Sequence, residues 1–181
     1  MIDRDVSFPA SYSVREPDAT SEPVDVEFAT RGLSRLAPAF VIEVTAASGR
    51  TWRAEAFGGT DPLSRLVNGP GPDGMLAVAG GVGYVVSVER PEAYAVLDLR
   101  PVTDVLPARE VGLLVCVGLT KLVAVAPGGS VAWRSPRVAA DGVSGVRITS
   151  DAAVVTGWDA PSHRNVETTL DLKSGEVVGR V

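Results

Sequence analysis

The chain has 181 residues, of which 45% are hydrophobic, so it is long enough to bury the core of one ordinary domain. Its formal charge of −5 disfavours a module that binds nucleic-acid phosphates. No apolar run approaches the ~20 residues that span a bilayer, and the first residues lack the basic-then-apolar pattern of a signal peptide. We therefore expect a cytoplasmic protein that binds neither nucleic acid nor membrane.

The net charge lies at the beginning of the sequence. Residues 1–30 contain seven acidic and two basic residues, whereas acids and bases are balanced in the rest of the chain. We therefore divide the chain into an acidic arm that contains Pro and Ser, residues 1–23, and a single all-β domain, residues 24–181. The different composition of the arm predicts a segment with its own behaviour.

Two alternatives are open for this arm. It is either solvated and loosely held, or it adds an edge strand to the domain through Phe8, Tyr12 and Val14. In either case its acidic residues are candidates for docking on a basic partner. The segment has both charged and apolar residues, which is compatible with either arrangement.

Short predicted strands separated by turns follow the arm. Alternating apolar residues over 24–28 indicate a half-buried strand. Residues 40–44 and 51–57 predict a hairpin closed around Gly49. A loop rich in Gly and Pro comes next, with a short helix predicted over residues 63–67.

The same pattern of short strands continues through the second half. Strands are predicted over 75–79 and 84–88, followed by a turn at 90–92 and another strand over 94–99. The nearly all-apolar segment 111–117 predicts a strand that is buried on both faces. The count of about thirteen short strands, with no convincing helical period of ten or more residues, is typical of a sandwich, barrel or propeller.

Three strand–turn–strand units resemble one another, at residues 40–52, 123–133 and 169–179. Gly129 and Gly175, in the turns of the last two, are 46 residues apart, which matches the ~40–50 residue period of propeller blades. Units centred near 42, 87, 122 and 160 give four in total. The sequence therefore predicts a small propeller-like arrangement of three or four antiparallel β units, with a two-sheet β-sandwich as the alternative.

Residues 169–178 read Thr-Leu-Asp-Leu-Lys-Ser-Gly-Glu-Val-Val. This segment resembles the blade repeat of quinoprotein-type propellers, whose pattern is Ala-x-Asp-x-x-Thr-Gly-Lys-x-x-Trp. Gly179 stands where that repeat has its tryptophan, and Thr169 replaces the alanine. The resemblance implies blade-like hairpins only. Cofactor binding in that family needs a full ring of blades and additional residues, so we expect no cofactor.

A second resemblance extends over roughly residues 75–180. The stretches 112–114, 129–135 and 157–160 are similar to segments of short bacterial β-repeat proteins with an actinobacterial composition. This likeness implies a β-repeat fold and brings no activity with it. It therefore supports the fold prediction and is neutral on function.

The polar loop at 158–165 is the candidate ligand site. Its aromatic, acidic and basic residues are Trp158, Asp159, His163 and Arg164. The order Asp159, Ser162, His163 also suggests a catalytic triad, but a triad is a spatial arrangement that three loop neighbours rarely adopt. We therefore interpret the loop as a polar turn that is also the first place to look for a small polar ligand.

Other chemistry has weaker support. Cys116 lies in an apolar strand without a neighbouring cation, which predicts an inert thiol. The glycines at 80–83 precede a strand, whereas a phosphate-binding loop leads into a helix. Trp52, Trp133 and Trp158 occur in similar strand contexts, which indicates that they pack between hairpins. We expect no catalytic residue and no metal site.

Three functional hypotheses remain. The first is a non-catalytic protein-interaction or binding module built on β repeats. The second is a small-molecule or sugar-binding protein, or a weak hydrolase, that uses carboxylates and the 158–165 loop. The third is an immunity-type or regulatory protein that docks its acidic arm on a basic partner. The chain is expected to be a monomer, or a dimer that pairs through an edge strand.

Overall fold

The structure is a computed structural model and describes residues 2–17, 23–30 and 38–181. The described residues form short strands and two single 3-10 turns, Arg109–Val111 and Pro127–Gly129. The strands are β1 (Asp3–Asp5), β2 (Ser13–Arg15), β3 (Val26–Phe28), β4 (Phe40–Thr45), β5 (Thr51–Ala56), β6 (Arg65–Asn68), β7 (Gly74–Ala79), β8 (Val82–Ser87), β9 (Arg90–Val96), β10 (Val102–Ala108), β11 (Leu113–Gly118), β12 (Leu122–Val125), β13 (Val131–Arg134), β14 (Val143–Ile148), β15 (Ala152–Asp159), β16 (Arg164–Asp171) and β17 (Val177–Arg180).

These strands form four small sheets. The first sheet has the order β2-β4-β5-β3, the second β1-β6-β7-β8-β9, the third β10-β11-β12-β13 and the fourth β14-β15-β16-β17. Only β1–β6 and β3–β5 pair in parallel among the described strands. The protein is therefore all-β, with a propeller-like arrangement of four largely antiparallel units, as the repeat predicts.

Each sheet packs face to face on the next one. One apolar cluster, with Trp52 and Tyr84, lies between the first and second sheets. A second cluster, with Leu76 and Leu114, lies between the second and third sheets, and a third, with Leu170, between the third and fourth. Strand β11 is buried along its whole length because its sheet is covered on both faces, as predicted from the apolar segment 111–117.

The described part of the N-terminal arm is attached to two sheets. Strand β1 pairs with β6 of the second sheet, and β2 pairs with β4 of the first. Phe8, between them, is only 6% exposed, and the Tyr12 hydroxyl donates to the Gly74 carbonyl oxygen at 2.9 Å. The edge-strand alternative is thus confirmed for these residues, whereas residues 18–22 of the arm lie outside the described residues.

Two local predictions are wrong, and one strand was not predicted. Residues 63–67 are not helical, because β6 is held between β1 and β7 by sheet pairing. The turn predicted at 90–92 is the beginning of β9. Strand β10, which contains Pro107, was not predicted. The structure accommodates this proline because β10 is an edge strand.

Irregular pairing is confined to edge strands. The register shifts in β8–β9, β10–β11, β12–β13, β14–β15 and β16–β17, and each of these pairs includes the edge strand β9, β10, β13, β14 or β17. The interior pairs β7–β8, β11–β12 and β15–β16 run without a shift. Such irregularities twist an edge away from a second strand, which disfavours edge-to-edge association of copies.

Candidate functional site

The loop predicted from sequence is the turn of the β15–β16 hairpin. Asp159 pairs with Arg164 at the end of the ladder, and Trp158 pairs with Asn165. Successive residues of a strand point to opposite faces of the sheet, so Trp158 and Asp159 are directed away from each other. Trp158 is 38% exposed. The four candidate residues therefore do not line one common pocket.

The Asp159 carboxylate stabilises the turn. Its Oδ2 atom accepts hydrogen bonds from the backbone N–H of Ser162 at 3.0 Å and from the Ser162 hydroxyl at 2.7 Å. Its Oδ1 atom bonds the guanidinium of Arg180. The Ser162 hydrogen bonds, followed by the charge of Arg180, hold the pKa of Asp159 below its usual value. This geometry has the serine donating to the aspartate, which is not how a triad nucleophile is activated.

The turn of the β16–β17 hairpin is stabilised by the same kind of hydrogen bonds. The Asp171 Oδ1 atom accepts from the backbone N–H of Ser174 at 2.8 Å and from its hydroxyl at 2.9 Å. The Ser174 hydrogen bonds lower the pKa of Asp171 as well. His163 is exposed and has a φ of 51°, in the left-handed region that turns require. The repetition indicates that Asp-x-x-Ser is a turn-forming motif in this chain.

Tryptophan side chains connect neighbouring sheets at two of the three junctions. In these sheets we call β4–β5, β8–β9, β12–β13 and β16–β17 the closing hairpins. The indole N–H of Trp52, in β5, donates to the Val88 carbonyl oxygen at 2.9 Å, and that of Trp133, in β13, donates to the Leu172 carbonyl oxygen at 2.7 Å. Val88 and Leu172 each directly follow the first strand of the next closing hairpin. We call this contact the tryptophan latch.

The middle junction, between the second and third sheets, has no tryptophan in the corresponding place. Trp52 pairs with Val44 and Trp133 pairs with Ala124, whereas in β8–β9 the pair that faces the next sheet is Val85 with Ala95. An alanine side chain is too short to reach the neighbouring hairpin. The space that an indole fills at the other two junctions is therefore left open here.

This space is a surface cleft of about 230 Å³. Its lining residues come from the closing hairpins of the second and third sheets and from the β6–β7 turn: Asp73, Gly74, Val85, Val86, Ser87, Arg90, Ala93, Ala95, Gly128 and Gly129. Its lining combines apolar and polar surface, and the polar residues among the lining are Asp73, Ser87 and Arg90. We call it the middle-junction cleft and take it as the candidate functional site.

The inner end of the cleft is closed by the Pro127–Gly129 turn. A narrow extension of about 10 Å³ shares Val85 and Gly129 with the cleft and is also lined by Ala126. The Ala126 carbonyl oxygen accepts the N–H of Gly129 at 3.0 Å within this turn. Ala126 packs toward the fourth sheet, whereas Val88 and Leu172 each pack toward the preceding sheet, so Ala126 is not their counterpart.

Sequence reasoning did not find this cleft. The signal that points to it is the pattern Ala93-Tyr94-Ala95 in β9, where the corresponding strands β5 and β13 have a tryptophan. This pattern is difficult to recognise in the sequence. The register shift in β8–β9 changes the number of residues between the turn and the β9 residue that faces the next sheet. The prediction that the tryptophans pack between hairpins is confirmed for Trp52 and Trp133, which are buried, and is wrong for Trp158, which is 38% exposed.

The single cysteine lies away from the cleft. Cys116 is fully buried in β11, and burial raises the pKa of its thiol to about 12. Within residues 2–17, 23–30 and 38–181, no group of three His, Cys, Asp or Glu side chains is placed to hold a metal ion. In that same part of the chain, no helix has the length and apolar character of a membrane span.

Comparison with protein-family models and with curated proteins finds no match for the chain. Among solved structures, the chain is similar to the computationally designed Ika8 protein, with 10% identity, a TM-score of 0.46, and coverage of 78% of this chain and 46% of that one. It is also similar to the N-terminal domain of Nup159, with 13% identity, a TM-score of 0.43, and coverage of 99% of this chain and 53% of that one. The chain thus spans about half the length of these solved chains.

Proposed function

We propose that this protein is a non-catalytic binding module that recognises a partner protein through the middle-junction cleft. The observation that carries the proposal is the open space at Ala93 and Ala95, at a position where the other two junctions are closed by a tryptophan. A concave apolar site with a few polar groups at its rim is the usual form of a binding site.

The size of the cleft favours a protein partner over a complete small-molecule ligand. At about 230 Å³ the cleft is smaller than the ~300 Å³ at which pockets for drug-sized ligands begin. It suits one large side chain, which then acts as the anchor of a wider contact. Interfaces commonly depend on such a single buried anchor, most often Trp, Tyr or Arg.

The test is a pull-down experiment with the immobilised full chain and with two variants of it. It compares which partner proteins bind to each. Ala95→Arg places a charged side chain in the cleft, and Ala132→Arg is the matched control because Ala132 is also an exposed alanine of an edge strand. We expect one partner to be retained in stoichiometric amount by the wild type and the control and lost with Ala95→Arg. Equal retention by all three proteins, with circular dichroism showing all three folded, contradicts the proposal.

A further inference from the structure

We infer that the outer face of the fourth sheet, which points away from the third sheet, is the contact surface of a weak homodimer. In this dimer the face packs on the same face of a second copy of the chain. The contact is independent of the proposed function, because the middle-junction cleft lies between the second and third sheets. It also differs from pairing through an edge strand, since it uses the face of a sheet rather than its open backbone groups.

The way the sheets are stacked leaves two outer faces. Four sheets are joined by three apolar clusters, which lie between the first and second, the second and third, and the third and fourth sheets. No apolar cluster of the described residues joins the fourth sheet to the first. In a stack of repeated units, the surfaces at the two ends require polar groups or a further partner.

The outer face of the first sheet is charged. Glu43 in β4 lies between Arg15 in β2 and Arg53 in β5, since it pairs with both in the sheet register. The carboxylate of Glu43 lies 2.5 Å from the guanidinium of Arg15 and 3.9 Å from that of Arg53. This row of alternating charges gives the first sheet the polar outer surface of a terminal unit.

The outer face of the fourth sheet has a different character. Along β15 it presents Val154, Thr156 and Trp158, because the alternate residues of this strand point into the cluster shared with the third sheet. Trp158 is 38% exposed. Strand β16 adds Thr169, which pairs with Val154. The centre of this face thus consists of apolar and β-branched side chains without a charge.

Two charges of opposite sign flank this centre. Arg147 in β14 pairs with Val154 on one side of β15, and Glu167 in β16 pairs with Thr156 on the other side. Both side chains are exposed, and neither makes a hydrogen bond or an ion pair with a residue in the described part of the chain. The face therefore has one cation and one anion that are available for a partner.

The placement of these charges favours a second copy as the partner. Arg147 and Glu167 are diagonal to each other across β15, so the midpoint between them falls on this strand, between Val154 and Thr156. A twofold axis through this midpoint brings Arg147 of each copy opposite Glu167 of the other. Two ion pairs then form at once, because an isologous contact repeats every interaction. The uncharged centre of one face lies on that of the other.

The size of the face indicates that the dimer is weak. Its longest strands have eight residues. At about 3.3 Å per residue and about 4.8 Å between strands, the face covers at most about 500 Å² in each copy. The two copies together bury about 1,000 Å², which is at the lower limit of specific protein interfaces. The dimer should therefore form only at high protein concentration.

The test is sedimentation velocity of the full chain from about 1 µM to about 1 mM. We expect a reversible monomer–dimer equilibrium with a dissociation constant on the order of 100 µM. NMR of the ¹⁵N-labelled chain over the same range should show concentration-dependent shifts at the amides of Val154, Thr156 and Thr169, and none at Ala95 in the cleft. Val154→Glu places a charge at the centre of the face and should abolish the dimer.

Exchange of the two charges tests the twofold pairing. Arg147→Glu and Glu167→Arg each place like charges opposite one another, so each should raise the dissociation constant by roughly tenfold. The double variant restores opposite charges and should return the constant to within about threefold of the wild type. Arg134→Glu is the matched control, because Arg134 is an exposed arginine in the edge strand β13 of the third sheet. It should leave the constant unchanged.

Three results overturn the inference: a chain that stays monomeric up to about 1 mM, a dimer that survives Val154→Glu, and single charge variants that the double variant does not rescue. If the chain is monomeric and Val154→Glu loses a partner protein in the pull-down, the face binds a different protein and the assignment to a second copy is wrong. The proposed function is tested separately, because it depends on the effect of Ala95→Arg, which should leave the dimer intact.

Discussion

The indole N–H of Trp133 donates to the Leu172 carbonyl oxygen at 2.7 Å, and this single bond joins the third sheet to the turn that closes the fourth. Trp52 makes the same bond to Val88 between the first and second sheets. The partners are 39 and 36 residues apart, about one repeat. The repeat visible in the sequence thus marks the positions where neighbouring sheets are connected.

Truncation of a latch tests its contribution to stability. Trp133 is 6% exposed, and Trp133→Ala removes both its packing and its hydrogen bond. We expect the free energy of unfolding to fall by about 3–5 kcal/mol, as for other buried tryptophans. Urea denaturation measures this change. Trp158→Ala is the control, because Trp158 is 38% exposed, and a loss as large as that of Trp133→Ala would contradict the latch.

Much of the fold follows from local sequence patterns. Alternating apolar residues and glycine turns located the hairpins β4–β5, β12–β13 and β16–β17, because side-chain period and turn geometry are set by neighbouring residues. Strand β6 was mistaken for a helix because its sequence, Arg-Leu-Val-Asn, has no strong period of its own. Its extended form depends on pairing with β7 and with β1, which is 62 residues earlier in the chain.

The candidate site was harder to predict for a related reason. A polar loop such as 158–165 attracts attention because its residues carry chemistry, and here that chemistry forms a turn. The middle-junction cleft arises instead from what a strand lacks compared with its structural counterparts. Such an absence becomes visible only when Ala95 is aligned with Trp52 and Trp133 through the sheet register.

Substitutions at Gly175 and Gly49 distinguish the cost of backbone strain from the cost of a steric clash. Gly175 has a φ of +72°, and a Cβ there would lie 2.5 Å from the Trp133 ring. Gly49 has a φ of +83°, and a Cβ there would meet nothing within 4 Å. Gly49→Ala should cost about 1–2 kcal/mol for the left-handed backbone alone. Gly175→Ala should cost roughly 1–3 kcal/mol more because it displaces the latch ring.

The measurement for both variants is chemical denaturation, with intrinsic tryptophan fluorescence as a second probe. Displacement of the Trp133 ring should change the emission of Gly175→Ala in the native state. The emission of Gly49→Ala should remain that of the wild type. Equal destabilisation by the two substitutions would mean that the Trp133 ring moves aside without cost, and that its contact with Gly175 does not stabilise the fold.

The attachment of the N-terminal arm to the sheets is expected to depend on the buried side chain of Phe8. This side chain is 6% exposed and packs in the cluster between the second and third sheets, with Val67 and Leu76. Phe8→Ala should lower the free energy of unfolding by about 3 kcal/mol and release the arm. Limited proteolysis should then cut within the first 16 residues faster than in the wild type. Val6→Ala is the control, since Val6 is 68% exposed and its loss should change stability by less than about 0.5 kcal/mol.

Acid should weaken the β15–β16 turn through Asp159. Its pKa is lowered in the folded state by Ser162 and Arg180, so its contribution to stability is present above the unfolded value of about 4 and is lost as the pH falls through the lower folded value. Asp159→Asn removes this titration. The difference in unfolding free energy between wild type and variant should therefore be largest near neutral pH and should decrease below about pH 4.

Asp141→Asn is the matched control, because the Asp141 carboxylate makes no hydrogen bond or ion pair with a residue in the described part of the chain. A difference for Asp159→Asn that stays constant from pH 7 to pH 3, as measured by urea denaturation at each pH, would show that the carboxylate does not stabilise the turn through its charge.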